Sequence, residues 1–196
     1  MRINTILTRI ALLLLPVLLW GCDYGNVIQG RVVEFNKETG IITFIKEESH
    51  DRKNPRYTAL PPVTMRMPKD PHEIGPLPTP GGRIELNVKD NFVLVYDHDA
   101  KNFKKIPFTP VDIMTDVGRS HPMVAGKTFP IIEKDKRTVQ VYSGRQRLLA
   151  KFTVDDDAIQ LPDNTWIAGD EVRIFYKEEG QAARFMNITL TDIYKK

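Results

Sequence analysis

Cysteine is almost missing from this sequence: Cys22 is the single one among 196 residues. An internal disulfide framework and a Cys-rich zinc or iron–sulfur site are thereby excluded. Serine is nearly as scarce, at Ser49, Ser120 and Ser143, and none stands in a Gly-x-Ser-x-Gly elbow. Ser49-His50 and Ser120-His121 are adjacent pairs whose side chains diverge on an extended strand, so neither makes a nucleophile–base dyad. No Gly-rich phosphate loop, His-Glu-x-x-His or calcium-loop pattern occurs. Charge of one sign is lacking too, with 28 Lys and Arg facing 25 Asp and Glu. Arg2 and Arg9 lie in a segment read below as a removable leader, and setting them aside leaves a net charge of +1. That is far from the basic stripe of a nucleic-acid binder, so no nucleic-acid partner is expected. Long hydrophobic runs are missing as well. The run Ile10–Trp20 has eleven residues, whereas a helix crossing a hydrocarbon core of about 30 Å needs roughly 20.

What the N-terminus does have is an address. Residues 1–9, MRINTILTR, carry two positive charges and no acid, and the short apolar run follows, as in a secretory signal. The run ends Leu19-Trp20-Gly21-Cys22. Leu-x-Gly-Cys in that place resembles the lipobox of bacterial lipoproteins, and the whole resembles lipoprotein families in which a lipobox precedes a β-rich domain. The resemblance implies a signal peptide over 1–21, cleavage between Gly21 and Cys22, and lipid on the Cys22 sulfur and the new N-terminus. Two or more acyl chains hold stably in a bilayer where one is marginal. Residues 22–29 would then be the lipidated tether of an exported domain on the periplasmic side. Asp23 resembles the inner-membrane retention signal of enteric lipoproteins, with the outer membrane as the alternative.

Past the anchor the chain reads as strands. Ile84, Leu86 and Val88 alternate with Arg83, Glu85 and Asn87, putting the first set on the apolar side and the second on the polar side. Val139/Val141, Ala150/Phe152/Val154, Val172/Ile174/Tyr176 and Met186/Ile188/Leu190 repeat that period. Phe92–Tyr96 is a continuous run of β-formers, as in a strand covered on both faces. Turn signals such as Pro80-Gly-Gly82 and Lys89-Asp-Asn91 separate them. The only helical turns expected follow Pro110, over 111–116, and close the C-terminus. The fold class is all-β.

Eight of the fourteen prolines fall between Pro55 and Pro80. Proline supplies no ladder donor, so residues 55–80 are expected as a long surface excursion or wrap, with at most an edge strand at Val63–Met67. The two halves also resemble each other. Gly30–Phe35, turn and Ile41–Phe44 align with Gly126–Ile131, turn and Thr138–Val141; Gly81–Leu86 aligns with Gly169–Ile174; Ile106–Ile113 aligns with Met186–Ile193. Matches in the same order predict a duplicated unit of roughly 70 to 90 residues. The first unit would run over 30–113 and the second over 126–196, each a small Greek-key barrel of the OB kind. Residues 30–45 resemble the first hairpin of cold-shock and S1-type domains, but Ile42 and Thr43 stand where those families offer ring faces. Shape is carried over; function is not.

Two readings of function remain. One is a non-enzymatic, lipid-tethered β module that binds an envelope protein partner or contributes to envelope structure. The other is a lipid-anchored hydrolase of envelope polymers using paired carboxylates, but no pair is singled out among 25 acids. Scarce His and Ser favour the first, and no catalytic residue is assigned. Asp97-His98-Asp99 and Asp155-Asp-Asp157 are the densest groupings of potential ligands. Alternation turns His98 away from the two aspartates, and Ca²⁺ wants six to eight oxygens. Both segments are expected as solvated turns, with no metal and no cofactor.

Overall fold

The computed structural model describes residues 24–49 and 56–191. It is all-β, with twelve strands arranged as two packed bodies. In the first body five strands follow one another in closed order. They are β1 (Asn26–Asn36), β11 (Glu171–Glu178), β12 (Gln181–Asn187), β3 (Ala59–Arg66) and β2 (Ile41–Lys46), returning to β1. All neighbours are antiparallel except β12 and β3, which meet at one parallel bridge, Gln181 to Arg66. Gln181 reinforces that seam by donating from Nε2 to the Met67 carbonyl at 3.0 Å. The ring encloses Ile28, Val32, Ile42, Phe44, Met65, Val172, Ile174 and Phe185.

A bulge in β1 sets which residues enter that interior. Val32 pairs with Phe44 and Glu34 with Thr43, so Val33 is the extra residue. The added residue advances the period of two by one step. Phe35, rather than Glu34, follows Val32 toward the barrel core, and Glu34 reaches solvent. Val33 points outward into a second cluster with Ile45, Tyr57, Ile84 and Tyr96. That cluster joins the barrel to the other body.

The second body is a sandwich. One sheet is the meander β4 (Arg83–Asn87), β5 (Phe92–Asp97) and β6 (Asn102–Pro107). The other has the order β7 (Thr109–Met114), β10 (Leu148–Thr153), β9 (Thr138–Ser143), β8 (Ile131–Glu133). Leu86, Val93 and Ile106 face Val139, Val141, Ala150 and Phe152 across the core. Phe152 stacks on Phe108 at 4.3 Å between centroids and touches Trp166 at 6.2 Å. Trp166 ends a 3-10 turn after the short helix α1 (Asp156–Ile159) and is fully buried.

Several expectations are corrected. The segment after Pro110 is strand β7 and not helical turns, because β10 offers it a partner from Leu149 to Thr153. Strand β12 buries Ala182, Phe185 and Asn187, not the predicted phase of Met186, Ile188 and Leu190. Register shifts opposite Tyr176 change its period. Strand β3 runs over Ala59–Arg66 and meets β12 only at Arg66, so Pro61 and Pro62 have β2 on one side and no ladder partner on the other among the described residues; they sit beside the break in the β2 ladder, between Phe44 and Lys46. The remaining proline-rich chain is strapped down: Gly75 donates to the Phe185 carbonyl at 3.0 Å, and Thr79 and Asp170 bond each other.

The halves of the chain do not map one to one onto the two bodies. Strands β11 and β12, from the second half, complete the ring begun by β1–β3. Strands β4–β6, from the first half, face β9 and β10. Of the aligned segments, Gly81 and Gly169 each lie two residues before a strand opens, at Arg83 and Glu171. Residues 126–130, aligned with strand β1, are loop, and β8 is only three residues long.

Candidate functional site

The two strand entries lie against each other where the bodies meet. Gly82 bridges Ala168 antiparallel, and Arg83 N donates to the Ile167 carbonyl at 3.0 Å. Gly81 N donates to the Val32 carbonyl at 3.1 Å, and Val32 N donates to the Asp170 carbonyl at 2.9 Å. Three chain segments therefore cross at backbone distance. A Cβ on Gly81 would run into the Ile167 carbonyl, and one on Gly169 into the Val32 carbonyl. Only glycine admits this approach.

Polar side chains are buried around the crossing. Asp170 Oδ2 accepts from Asn187 Nδ2 and from Thr79 N, both at 2.9 Å, which ties the proline-rich strap to β12. Glu171 is held between two arginines. Arg31 Nη2 lies 3.1 Å from Oε1, and Arg145 Nη2 bonds Oε2. Arg31 also donates to the Ile84 carbonyl at 3.2 Å and lies over the Tyr57 ring at 4.5 Å. Burial pushes the Tyr57 hydroxyl well above its ordinary range, and its oxygen has no hydrogen-bond partner among the described residues.

Arg83 is the outlier. It is 5% exposed, and its one side-chain bond among the described residues is from Nη2 to the Tyr142 carbonyl at 3.3 Å. No carboxylate among the described residues pairs with it. Burial first, and then the neighbouring Arg31 charge, pull its pKa down to about 9. Among the described residues its Nε has no partner, nor does Nε1 of Trp166, which is 0% exposed. Both side chains line a cavity of about 120 Å³ whose rim includes the half-buried Phe129, Tyr142, Ile167 and Ala168. Arg83 is the charged side chain of this small recess, whose lining mixes polar and apolar surface.

The residues singled out in the sequence lie elsewhere. Gly21, Cys22 and Asp23 are outside the described residues, as is His50. Asp97 caps its own turn, with Oδ1 accepting from Asp99 N and Ala100 N at 3.0 Å each. Those bonds, the Ala100 one foremost, hold its carboxyl below the usual range. His98 packs edge-on against Tyr96 at 5.1 Å. Asp155–Asp157 open α1, with Asp156 3.6 Å from Arg137. His121 Nδ1 accepts from Met123 N at 3.2 Å within a turn. Among the described residues no helix is long and apolar enough to cross a membrane.

Alternation placed Arg83 on the polar side of its strand, whereas it is buried. The register shift between Arg83 and Glu85 separates it from the ladder that follows, and it sits next to the Gly82–Ala168 bridge. The glycine pair directly before it was the available signal, since Gly-Gly opening a strand marks close backbone approach.

No curated protein and no solved structure matches this chain. Residues 23–196 match the family model described as a domain of unknown function, DUF4881, and the chain belongs to that family.

Proposed function

We propose that this protein is a membrane-anchored bacterial lipoprotein whose exported β domain is a non-enzymatic binding or envelope-structural module. The observation that carries the anchor is Cys22, the single cysteine, directly after a basic start, an eleven-residue apolar run and Leu19-Trp20-Gly21. Cleavage falls between Gly21 and Cys22, and the tether faces the periplasm. Asp23 favours the inner membrane. Metabolic labelling with a palmitate analogue tests this: the wild type takes up label and Cys22→Ala does not. Label that survives the substitution overturns it.

The buried acids support a non-enzymatic role. Glu171 is neutralised by Arg31 and Arg145, and Asp170 is occupied by Asn187 and Thr79. A glycosidase-type mechanism needs one carboxyl kept protonated and one free, and neither of these acids fits that role.

The fold itself reads as a duplication of an OB-like unit with exchanged halves. Meanders β1–β3 and β8–β10 are the equivalent first halves, and β4 and β11, each opened two residues after a glycine, begin the second halves. Each body then combines the first half of one copy with the second half of the other. The Gly81–Gly169 crossing is the approximate dyad, and Arg83 and Glu171 are its equivalent positions. What supports this is the Gly82–Ala168 bridge together with the cross-pairing of β1 with β11.

A further inference from the structure

We infer that the outer barrel face at the start of β1, formed by Tyr24, Val27 and Phe175, rests in the headgroup region of the membrane that holds the anchor. The inference deepens the reading of Cys22 as a lipidated residue and depends on it. Among the described residues Tyr24 and Val27 are the most exposed large hydrophobic side chains, at 91% and 64%. Both lie within five residues of Cys22. Val27 is the cross-strand partner of Phe175, which is half-buried. The next pair along, Ile28 and Ile174, belongs to the barrel interior. Alternation therefore puts Val27 and Phe175 together on the outside. Gly25 completes the face: a Cβ there would meet the Phe175 ring, so the ring lies against the chain directly after Tyr24.

Chain reach decides what covers this face. Strand pairing begins at Asn26, opposite Tyr176, so only residues 23–25 separate Cys22 from the barrel. An extended chain spans at most about 3.6 Å per residue, which holds the Tyr24 backbone within about 7 Å of an acylated Cys22. The headgroup layer on each side of a bilayer is about as thick, at roughly 5–7 Å. A further layer of protein needs about 10 Å, so none fits between Tyr24 and the lipid. The side chains match that depth. Tyrosine favours the membrane–water interface, where its ring meets apolar surroundings and its hydroxyl meets water. The exposed β11–β12 turn beside this face, Lys177-Glu178-Glu179-Gly180, carries both signs of charge. Apolar and aromatic surface, rather than attraction to anionic lipid, therefore makes the contact.

The test uses the protein purified from membranes of cells fed the palmitate analogue, so that each sample also reports the anchor. Tyr24→Trp and Val27→Trp each place an indole on the face. Val111→Trp places one on β7 of the other body, where Val111 is 56% exposed. Emission is read over the wild type, whose Trp166 is 0% exposed. The vesicles are phosphatidylcholine, with or without bromine near the top of the acyl chains. Bromine should remove about half of the emission at positions 24 and 27, since interfacial faces settle about 5–10 Å into the headgroup–acyl boundary. The indole at position 111 should keep its emission and stay open to iodide. Labelled protein with no bromolipid quenching at 24 and 27, or with equal quenching at 111, overturns the contact and leaves the anchor standing. Shielding from iodide at 24 and 27 without bromolipid quenching means that protein, a second copy included, covers the face, and this overturns the contact too. Protein that takes up no palmitate label removes the anchor and the contact together, so the label tells the two failures apart.

Discussion

The Arg31 guanidinium lies 3.1 Å from the Glu171 carboxylate, joining residues 140 positions apart across the β1–β11 pairing. Both side chains are largely buried, at 14% and 9% exposure. Glu171 is the counter-ion for Arg31 and Arg145 together. Its value to the fold is the penalty avoided when those cations leave water, not the attraction alone.

Glu171→Gln leaves the arginines without that anion. Breaking a buried pair by removing one partner costs about 3–5 kcal/mol. Urea unfolding should show a lower midpoint at unchanged slope. Arg31→Met combined with Glu171→Met should recover much of the loss. A single-mutant cost below about 1 kcal/mol, the range of a surface pair, would mean the site is solvated.

Gly169→Ala places a methyl against the Val32 carbonyl, where both partners are backbone and no rotamer relieves the clash. The loss should reach about 3 kcal/mol, the upper end for overpacking. Gly118→Ala is the control, since nothing lies within 4 Å of its Cβ position. Thermal melts of the two variants should separate clearly, and equal melts would refute the crossing.

Glu133 links three elements: it accepts from Lys136 at 2.8 Å, Thr138 at 2.9 Å and Lys151 at 3.0 Å. These bonds, led by Lys136 and Lys151, pull its pKa down to about 2. A carboxyl with a depressed folded pKa stabilises above its unfolded value and loses that contribution as pH falls. Glu133→Gln should therefore be less stable than wild type near pH 7. The two should converge between about pH 4.5 and pH 2. Denaturant midpoints across that range decide it, and a constant gap would show that Glu133 acts without its charge.

Because the ring is built from β1–β3 together with β11 and β12, neither half of the chain should fold alone. A chain ending at residue 113 lacks β11 and β12, leaving β1 without its partner over Asn26–Arg31 and opening the ring at β3. Exposed strand edges of that kind invite aggregation. Residues 1–113 and 114–196 should be insoluble or unfolded when expressed separately and should recover a native-like near-ultraviolet spectrum when expressed together. A cooperative unfolding transition in either half alone would contradict the topology.

Strands β4, β9, β10 and β11 were readable in the chain because alternation is local: the pleat turns every second side chain the same way, whatever the partner; β5 was readable from its continuous run of β-formers. The all-β class follows from that. The lipobox reading of Cys22 is equally local, resting on a few consecutive residues. Strand β7 and the phase of β12 were misread because their partners and bulges, not their own period, set them. Burial of Arg83 was decided only by the tertiary fold, where its strand enters beside Ile167 and Ala168. Closure of the ring, and which arginine has an acid beside it, depend on residues brought together from opposite ends of the chain. Sequence spacing carries no such information, because a charge responds to distance through space and to the water removed around it.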